Sequence, residues 1–163
     1  MRRNILLTFV VITLISCSSK ASMVDINAYS NTTTNPVVKY FEAGTYNVTP
    51  IGIDDGGTYN AWTAWTDKHA WLSTYSLSSD EFPKYTVGSG TYETPLIALD
   101  NAVGTSFTLQ SSGNVNFFIS DSYYSDNSGG MSLEVSLVPV PGAALLGLLG
   151  LGTAGIKLRN KYV

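Results

Sequence analysis

The chain has 163 residues, with nine basic and twelve acidic residues and a single cysteine. Six of the basic residues lie in the two terminal segments, so the middle of the chain carries three basic against twelve acidic residues, a charge near −9. A segment this acidic repels phosphate backbones and excludes nucleic acid as a partner. Cys17 lies in the N-terminal segment, which excludes a disulfide, a cysteine nucleophile and a thiolate zinc site from the middle.

The N-terminal segment, residues 1–21, has the plan of a secretion signal. Two arginines precede an uncharged apolar run at 5–15. A small residue, Ala21, then allows an ordinary signal peptidase to cut before Ser22. A lipobox that ends at Cys17 is the alternative, and it would leave a lipid-modified N-terminus. Either interpretation predicts an exported protein.

Residues 22–137 show the pattern of one small all-β domain. Short runs rich in aromatic, β-branched and leucine residues predict strands. These runs are 45–49, 71–77, 95–99, 106–110, 114–120 and 131–137. Turn clusters rich in Gly, Ser, Asp and Asn lie at 54–57, 88–90, 111–113 and 126–130. Many short strands at this spacing predict an antiparallel β-sandwich that is jelly-roll-like, and no long helical periodicity competes with it.

The C-terminal segment has a different composition. Eighteen uncharged residues, 139–156, are dominated by Leu, Gly and Ala, and basic residues follow at 157, 159 and 161. The run is long enough to cross a bilayer as a transmembrane helix, and the basic end predicts a cytoplasmic tail with the domain outside. A buried soluble helix is the alternative, but the glycines disfavour it.

The motif Val138-Pro139-Val140-Pro141 opens this segment. A VPxP step, a Gly/Leu-rich span and a terminal basic cluster, in that order, resemble the PEP-CTERM sorting signal over residues 138–163. The resemblance implies that an exosortase-type enzyme cuts the chain near the prolines. The product is then released or attached at the outer surface, commonly in bacteria that make extracellular polysaccharide. Val140 stands where the family usually has glutamate, as in its VPLPA-like variants.

The loop at 121–130 is a candidate metal site. The side chains of Asp121, Asp126 and Asn127, with nearby backbone carbonyls, offer several oxygen ligands in a tight loop. Calcium takes six to eight oxygens of these kinds and tolerates irregular geometry. Open coordination positions can then accept vicinal sugar hydroxyls. A plain turn is the alternative, because turns need the same residue types.

Together with the strand predicted at 131–137, this loop resembles the calcium loop and last strand of calcium-dependent galactose-binding bacterial lectins, which are small β-sandwiches. The resemblance implies that Asp126 and Asn127 are paired side-chain ligands, and that Asp121 is the preceding carboxylate. It also implies that Ser125 and Tyr59 bind the metal through their backbone carbonyls. The loop is shorter between Asp121 and Asp126 than in those lectins.

The aromatic stretch at 54–71 is a candidate sugar site. Aromatic rings there lie beside polar side chains, and a sugar needs both a ring to stack on and groups that bind its hydroxyls. We expect Tyr59, Trp65 and His69 to contact sugar together with Asp121 and Asp126. Packing in the core is the alternative for the tryptophans, and a hydrogen-bonded loop position is the alternative for His69.

The sequence shows no catalytic constellation. His69 is the only histidine and no nucleophile motif accompanies it, while the adjacent Asp54 and Asp55 are not spaced for glycosidase chemistry. The sequence therefore predicts a non-enzymatic protein of the cell surface or extracellular matrix. We expect it to bind extracellular polysaccharide or another glycan with calcium, and to use its C-terminal helix as a transient membrane anchor. A structural matrix or biofilm protein without sugar binding is the alternative.

Overall fold

The computed structural model describes residues 21–66 and 68–139, and these form nine strands and one short α-helix. The strands are β1 Ser22–Asn27, β2 Val37–Phe41, β3 Gly44–Ile51, β4 Trp62–Thr63, β5 Tyr75–Ser79, β6 Tyr85–Val87, β7 Thr105–Leu109, β8 Gly113–Phe118 and β9 Ser128–Leu137. The helix α1 is Pro95–Asp100, and two 3₁₀ turns are Ile53–Asp55 and Tyr124–Asp126. The predicted signal segment, except Ala21, and the predicted tail from Val140 onward lie outside the described residues.

The strands pair in two antiparallel sheets, which confirms the predicted all-β sandwich. The first sheet has the order β1-β9-β3-β7, and the short β4 pairs with the beginning of β9. The second sheet has the order β2-β8-β5-β6. Most strands that are consecutive in sequence are therefore not neighbours in a sheet. The domain is held together mainly by pairing between strands that are distant in sequence, rather than by hairpins.

The core lies between the two sheets and follows the two-residue period of the strands. Along β9, the side chains of Met131, Leu133 and Val135 point inward and are at most 2% exposed. From the second sheet, Leu77 and Phe117 meet them and are fully buried. Burying one face of each strand fixes the pairing register, because a slip by one residue would turn the apolar set to solvent.

The segment 95–99, predicted as a strand, is the helix α1 instead. Thr94 caps it, since its Oγ1 accepts a hydrogen bond from the Ile97 backbone N at 3.2 Å, and Pro95 occupies the first turn. Ser or Thr before a helix with proline at its start is a helix-initiation pattern. Two further predictions need correction: β5 begins at Tyr75 rather than at 71, and the glycines of the predicted 126–130 turn lie in β9.

The long strand β9 connects two ends of the sandwich. At its beginning lie the end of β1 and the end of β8, and we call this the loop end. At its other end, Ser22 pairs with Val135, and the backbone N of Val138 donates to the carbonyl of Thr45 at 2.8 Å. Both ends of the described chain therefore leave the domain on the side that we call the tail end. Ten residues of strand separate the two ends by about 33 Å.

Candidate metal and carbohydrate site

The strongest local feature of the loop end is a set of buried oxygens. Among the described residues, the Asp126 Oδ1, Asn127 Oδ1 and Ser128 Oγ atoms are buried and have no hydrogen-bond partner. Buried polar atoms are nearly always paired, because each unpaired one costs about 1–3 kcal/mol. Three such atoms on consecutive residues are therefore unusual for a loop that serves only as a turn.

Asn127 is held in a defined orientation. Only 5% of it is exposed, and its Nδ2 donates to the carbonyl of Ala28 at 3.2 Å. This bond fixes the amide plane and leaves Oδ1 without a donor. Asp126 closes the preceding 3₁₀ turn, in which the backbone N of Asn127 donates to the carbonyl of Tyr124 at 3.2 Å. The two predicted side-chain ligands are thus adjacent in sequence, and each has a buried Oδ1 without a hydrogen-bond partner.

Ser128, which the sequence analysis did not single out, carries the third oxygen. Asn127 has an extended backbone, so Ser128 projects from the opposite side of the chain. Ser128 lies directly opposite Thr63 in the β4–β9 pair, and paired residues share one face of a sheet. The Thr63 side chain is fully buried, and its Oγ1 accepts from the Trp65 backbone N at 3.3 Å. Ser128 therefore belongs to the side of β4, whereas Asn127 faces the loop that follows β1.

The loop that follows β1 completes this end of the sandwich, and the sequence analysis missed it. The Oδ1 of Asn27 accepts from the backbone N of Tyr29 and of Ser30, each at 3.0 Å, which makes an Asx turn. The backbone N of Ala28 donates to the carbonyl of Gly129 at 3.0 Å, and the carbonyl of Asn31 accepts from the backbone N of Ile119 at 3.0 Å. The sequence feature that could have indicated this turn is Asn27, an asparagine at the end of an alternating apolar run.

Tyr59 lies at the same end as Asp126. The carbonyl of Ala61 accepts from the backbone N of Gly130 at 3.1 Å, which places the 59–63 segment beside the beginning of β9. The Tyr59 ring packs on Gly130, where an added Cβ would lie 2.6 Å from the ring Cδ2. Its hydroxyl accepts from the Nδ2 of Asn27 at 3.0 Å. The side chain of Tyr59 is thus engaged in holding the loops together.

A second contact holds the Tyr59 loop against β9. The Ser132 Oγ accepts from the backbone N of Thr58 at 2.8 Å and of Tyr59 at 2.9 Å, and it donates to Asp25. Asp25 also accepts from the backbone N and the hydroxyl of Thr58. Partial burial raises the pKa of Asp25, but the hydrogen bonds from Ser132 and Thr58 and the charge of Lys39 outweigh it and leave the pKa below its usual value.

Trp65 and His69 form an aromatic pair next to this segment. Their ring centroids are 5.0 Å apart with the planes tilted by 47°, and Trp65 is half-buried while His69 is exposed. Trp62, by contrast, is a core residue: it is 3% exposed, and its Nε1 donates to the carbonyl of Thr74 at 2.8 Å. The alternative of core packing is therefore correct for Trp62.

Asp121 and Ser125 lie in the same loop but differ from the buried pair. The Asp121 Oδ1 accepts from the backbone N of Ser122 at 2.6 Å, and Ser125 is exposed. A cation lies next to this part of the loop, since the Nζ of Lys84 donates to the Ser120 Oγ at 2.7 Å. At 120–122, the loop is held by hydrogen bonds and lies next to the Lys84 ammonium group. At 126–127, the Oδ1 atoms of Asp126 and Asn127 have no hydrogen-bond partner.

Comparison with known proteins returned no match to any family model, curated protein or solved structure. In residues 21–66 and 68–139, no group of three or more His, Cys, Asp or Glu side chains is placed to hold a metal ion. A site at Asp126 and Asn127 would therefore depend on amide and backbone oxygens, which calcium accepts and zinc disfavours. No helix within the described ranges has the length and apolarity to cross a membrane.

Proposed function

We propose that this protein is exported to the cell surface or extracellular matrix and binds a glycan there through a calcium ion at the loop end. The observation that carries the proposal is the pair of buried, unpartnered oxygens on Asp126 and Asn127. One carboxylate oxygen and one amide oxygen, on adjacent residues, are donor types that calcium accepts. The adjacent Trp65 and His69 rings would supply a surface for the sugar face.

The surroundings of the pair favour a cation over a water molecule or an anion. The described residues contain three lysines and eleven acidic residues, so the overall charge of this part of the chain attracts cations. Asn127 is also oriented in advance by Ala28, so little freedom is lost when its oxygen binds. Asp126 and Asn127 would hold the ion, and backbone carbonyls of the 59–63 and 119–125 segments would complete its coordination. The ion would supply bonds to two neighbouring sugar hydroxyls.

The fold is compatible with this proposal. We interpret the strand orders β1-β9-β3-β7 and β2-β8-β5-β6 as a jelly roll, an architecture that lectin domains share with viral capsid proteins. Fold alone does not define function, so the proposal of glycan binding depends on the residues of the site. Jelly-roll loops gather at the ends of the sandwich, and this is where the buried oxygens lie.

The two ends of the domain suit a protein that is attached by a terminus. Both the N-terminal Ser22 and the C-terminal Pro139 leave from the tail end. Attachment through a lipid on Cys17 or through the C-terminal tail would therefore present the loop end away from the membrane, on the far side of the domain from the tail end. The proposed glycan site would face the extracellular matrix in either case.

The test is glycan binding by the full-length protein in mild detergent, measured calorimetrically against a glycan panel with calcium and with chelator. We expect binding in calcium that is lost on chelation and in Asp126→Asn, and retained in Asp80→Asn, which removes an exposed carboxylate at the tail end. Calcium binding without glycan binding would support the structural matrix role instead. If calcium binds neither wild type nor variant, the site is wrong.

A further inference from the structure

Three tyrosines of the described chain are more than half exposed, and two of them lie in loops at the same end of the sandwich as the candidate site. Tyr29 is 59% exposed, Tyr123 is 65% exposed, and Tyr40 is 63% exposed. Tyr40 lies on the outward face of β2 opposite Asn114, near the tail end. Tyr29 and Tyr123 lie in two separate loops of the loop end. Large aromatic side chains exposed on ordered loops are typical of binding surfaces.

Tyr29 is attached directly to the candidate site. It follows Ala28, whose carbonyl holds the Asn127 amide at 3.2 Å. Its backbone N donates to the Asn27 Oδ1 at 3.0 Å, so the Asx turn fixes its backbone while the ring stays in solvent. A tyrosine with a fixed backbone loses the freedom of only two torsion angles when its ring is covered.

Tyr123 lies in the same loop as Asp126. It immediately precedes the 3₁₀ turn Tyr124–Asp126 and has an extended backbone, with φ −144° and ψ 102°. Its neighbour Tyr124 turns inward, where its hydroxyl donates to the carbonyl of Ile119 at 3.4 Å. Tyr123 is correspondingly turned out. The loop that positions Asp126 thus also presents an aromatic ring to solvent.

We propose that Tyr29 and Tyr123 form an aromatic platform on which a pyranose ring of the bound glycan stacks, beside the ion held by Asp126 and Asn127. This assignment rests on the proposed function. Its physical reason is that the negative face of an aromatic ring attracts the polarised C–H groups of a sugar, while the phenol remains in water. The platform would select pyranoses with one apolar face and would be distinct from the Trp65 and His69 pair.

The experiment compares Tyr29→Ala, Tyr123→Ala and the control Tyr40→Ala in the full-length protein with calcium. The probes are the methyl glycosides of galactose, glucose, mannose and fucose, and the tightest-binding one is followed by calorimetry. We expect each of the first two variants to weaken binding about tenfold, equal to about 1.4 kcal/mol, and Tyr40→Ala to bind as wild type. Tyr29→Phe and Tyr123→Phe should keep binding, since they retain the ring. The thermal midpoint in calcium should stay within about 2 °C in all variants, because these side chains are exposed.

Several results would overturn the platform. If the alanine variants bind like Tyr40→Ala while Asp126→Asn loses binding, the platform is wrong and the proposed function survives. If the phenylalanine variants lose binding as fully as the alanine variants, the hydroxyls and not the ring faces make the contact. If wild type binds none of the four glycosides, with or without calcium, then the proposed function fails and the platform fails with it.

Discussion

Calcium should stabilise this protein strongly, and Asp126→Asn should abolish the effect. The buried Asp126 and Asn127 oxygens each cost about 1–3 kcal/mol when unpaired, a penalty that a bound ion removes. At a calcium concentration a hundred times the Kd, the stabilisation is about 2.7 kcal/mol. For a domain of about 115 residues, with an unfolding entropy of about 2.1 cal/mol/K per residue, this corresponds to a rise of about 11 °C in Tm.

The assay is thermal unfolding followed by circular dichroism, in calcium and in chelator, with magnesium as the ionic-strength control. Wild type should lose about 11 °C on chelation, whereas Asp126→Asn should unfold at the same temperature in both conditions. Asp80→Asn should respond like wild type, because Asp80 is exposed near the tail end. A wild-type Tm that is indifferent to calcium would refute the reasoning and leave the 121–130 loop as a turn.

Three further predictions concern Gly130, Asp25 and the C-terminus of the exported protein. Gly130→Ala should lower the free energy of unfolding by about 1–3 kcal/mol, because the added Cβ would clash with the Ile26 carbonyl and would lie 2.6 Å from the Tyr59 ring. Thermal melts should show this loss. The control Gly113→Ala should melt like wild type, because its added Cβ meets nothing within 4 Å. Asp25 has a lowered pKa, so its contribution to stability is present above its ordinary value of 3.8 and is lost as the pH falls below it. Asp25→Asn should therefore flatten the decline of Tm between pH 5 and pH 2, and an unchanged decline would contradict the contact with Thr58 and Ser132. Mass spectrometry of the exported protein should find a C-terminus near Val140, within the VPxP motif. Cleavage there would leave the sheet intact, since pairing with the first sheet ends at Val138. An intact Val163 on released protein would rule out exosortase processing.

The alternation of apolar residues made most of the strands predictable. Runs such as 106–110 and 114–120 became β7 and β8 because one face of each had to be buried. The errors have local causes. The segment 95–99 has leucine and isoleucine in positions that suit a strand, but Thr94 and Pro95 start a helix. The strands β1, β2, β4 and β6 were missed, because their short runs contain polar, charged or exposed residues that hide the pattern.

The candidate site was predictable only in part. The residue types and spacing of 121–130 indicated an oxygen-rich loop, and the resemblance to the calcium-dependent lectins implied that Asp126 and Asn127 are paired ligands. The sequence carried no indication that Asn27 ties the backbone of Tyr29 to the Tyr59 hydroxyl, since these residues are about thirty positions apart. The involvement of Ser128 was equally hidden, because it depends on the pairing with Thr63 across the sheet.

The sequence by itself determined the acidic middle segment and the all-β class, because charge, composition and strand period are local properties of the chain. The export and sorting segments stay predictions from the sequence. Only the tertiary structure decided which oxygens are buried without partners, that both ends of the described chain leave from the tail end, and that Tyr29 and Tyr123 are exposed on two loops of the loop end. The reason is physical. Burial and the saturation of hydrogen bonds depend on which loops meet when the sheets close, and strands distant in sequence bring those loops together.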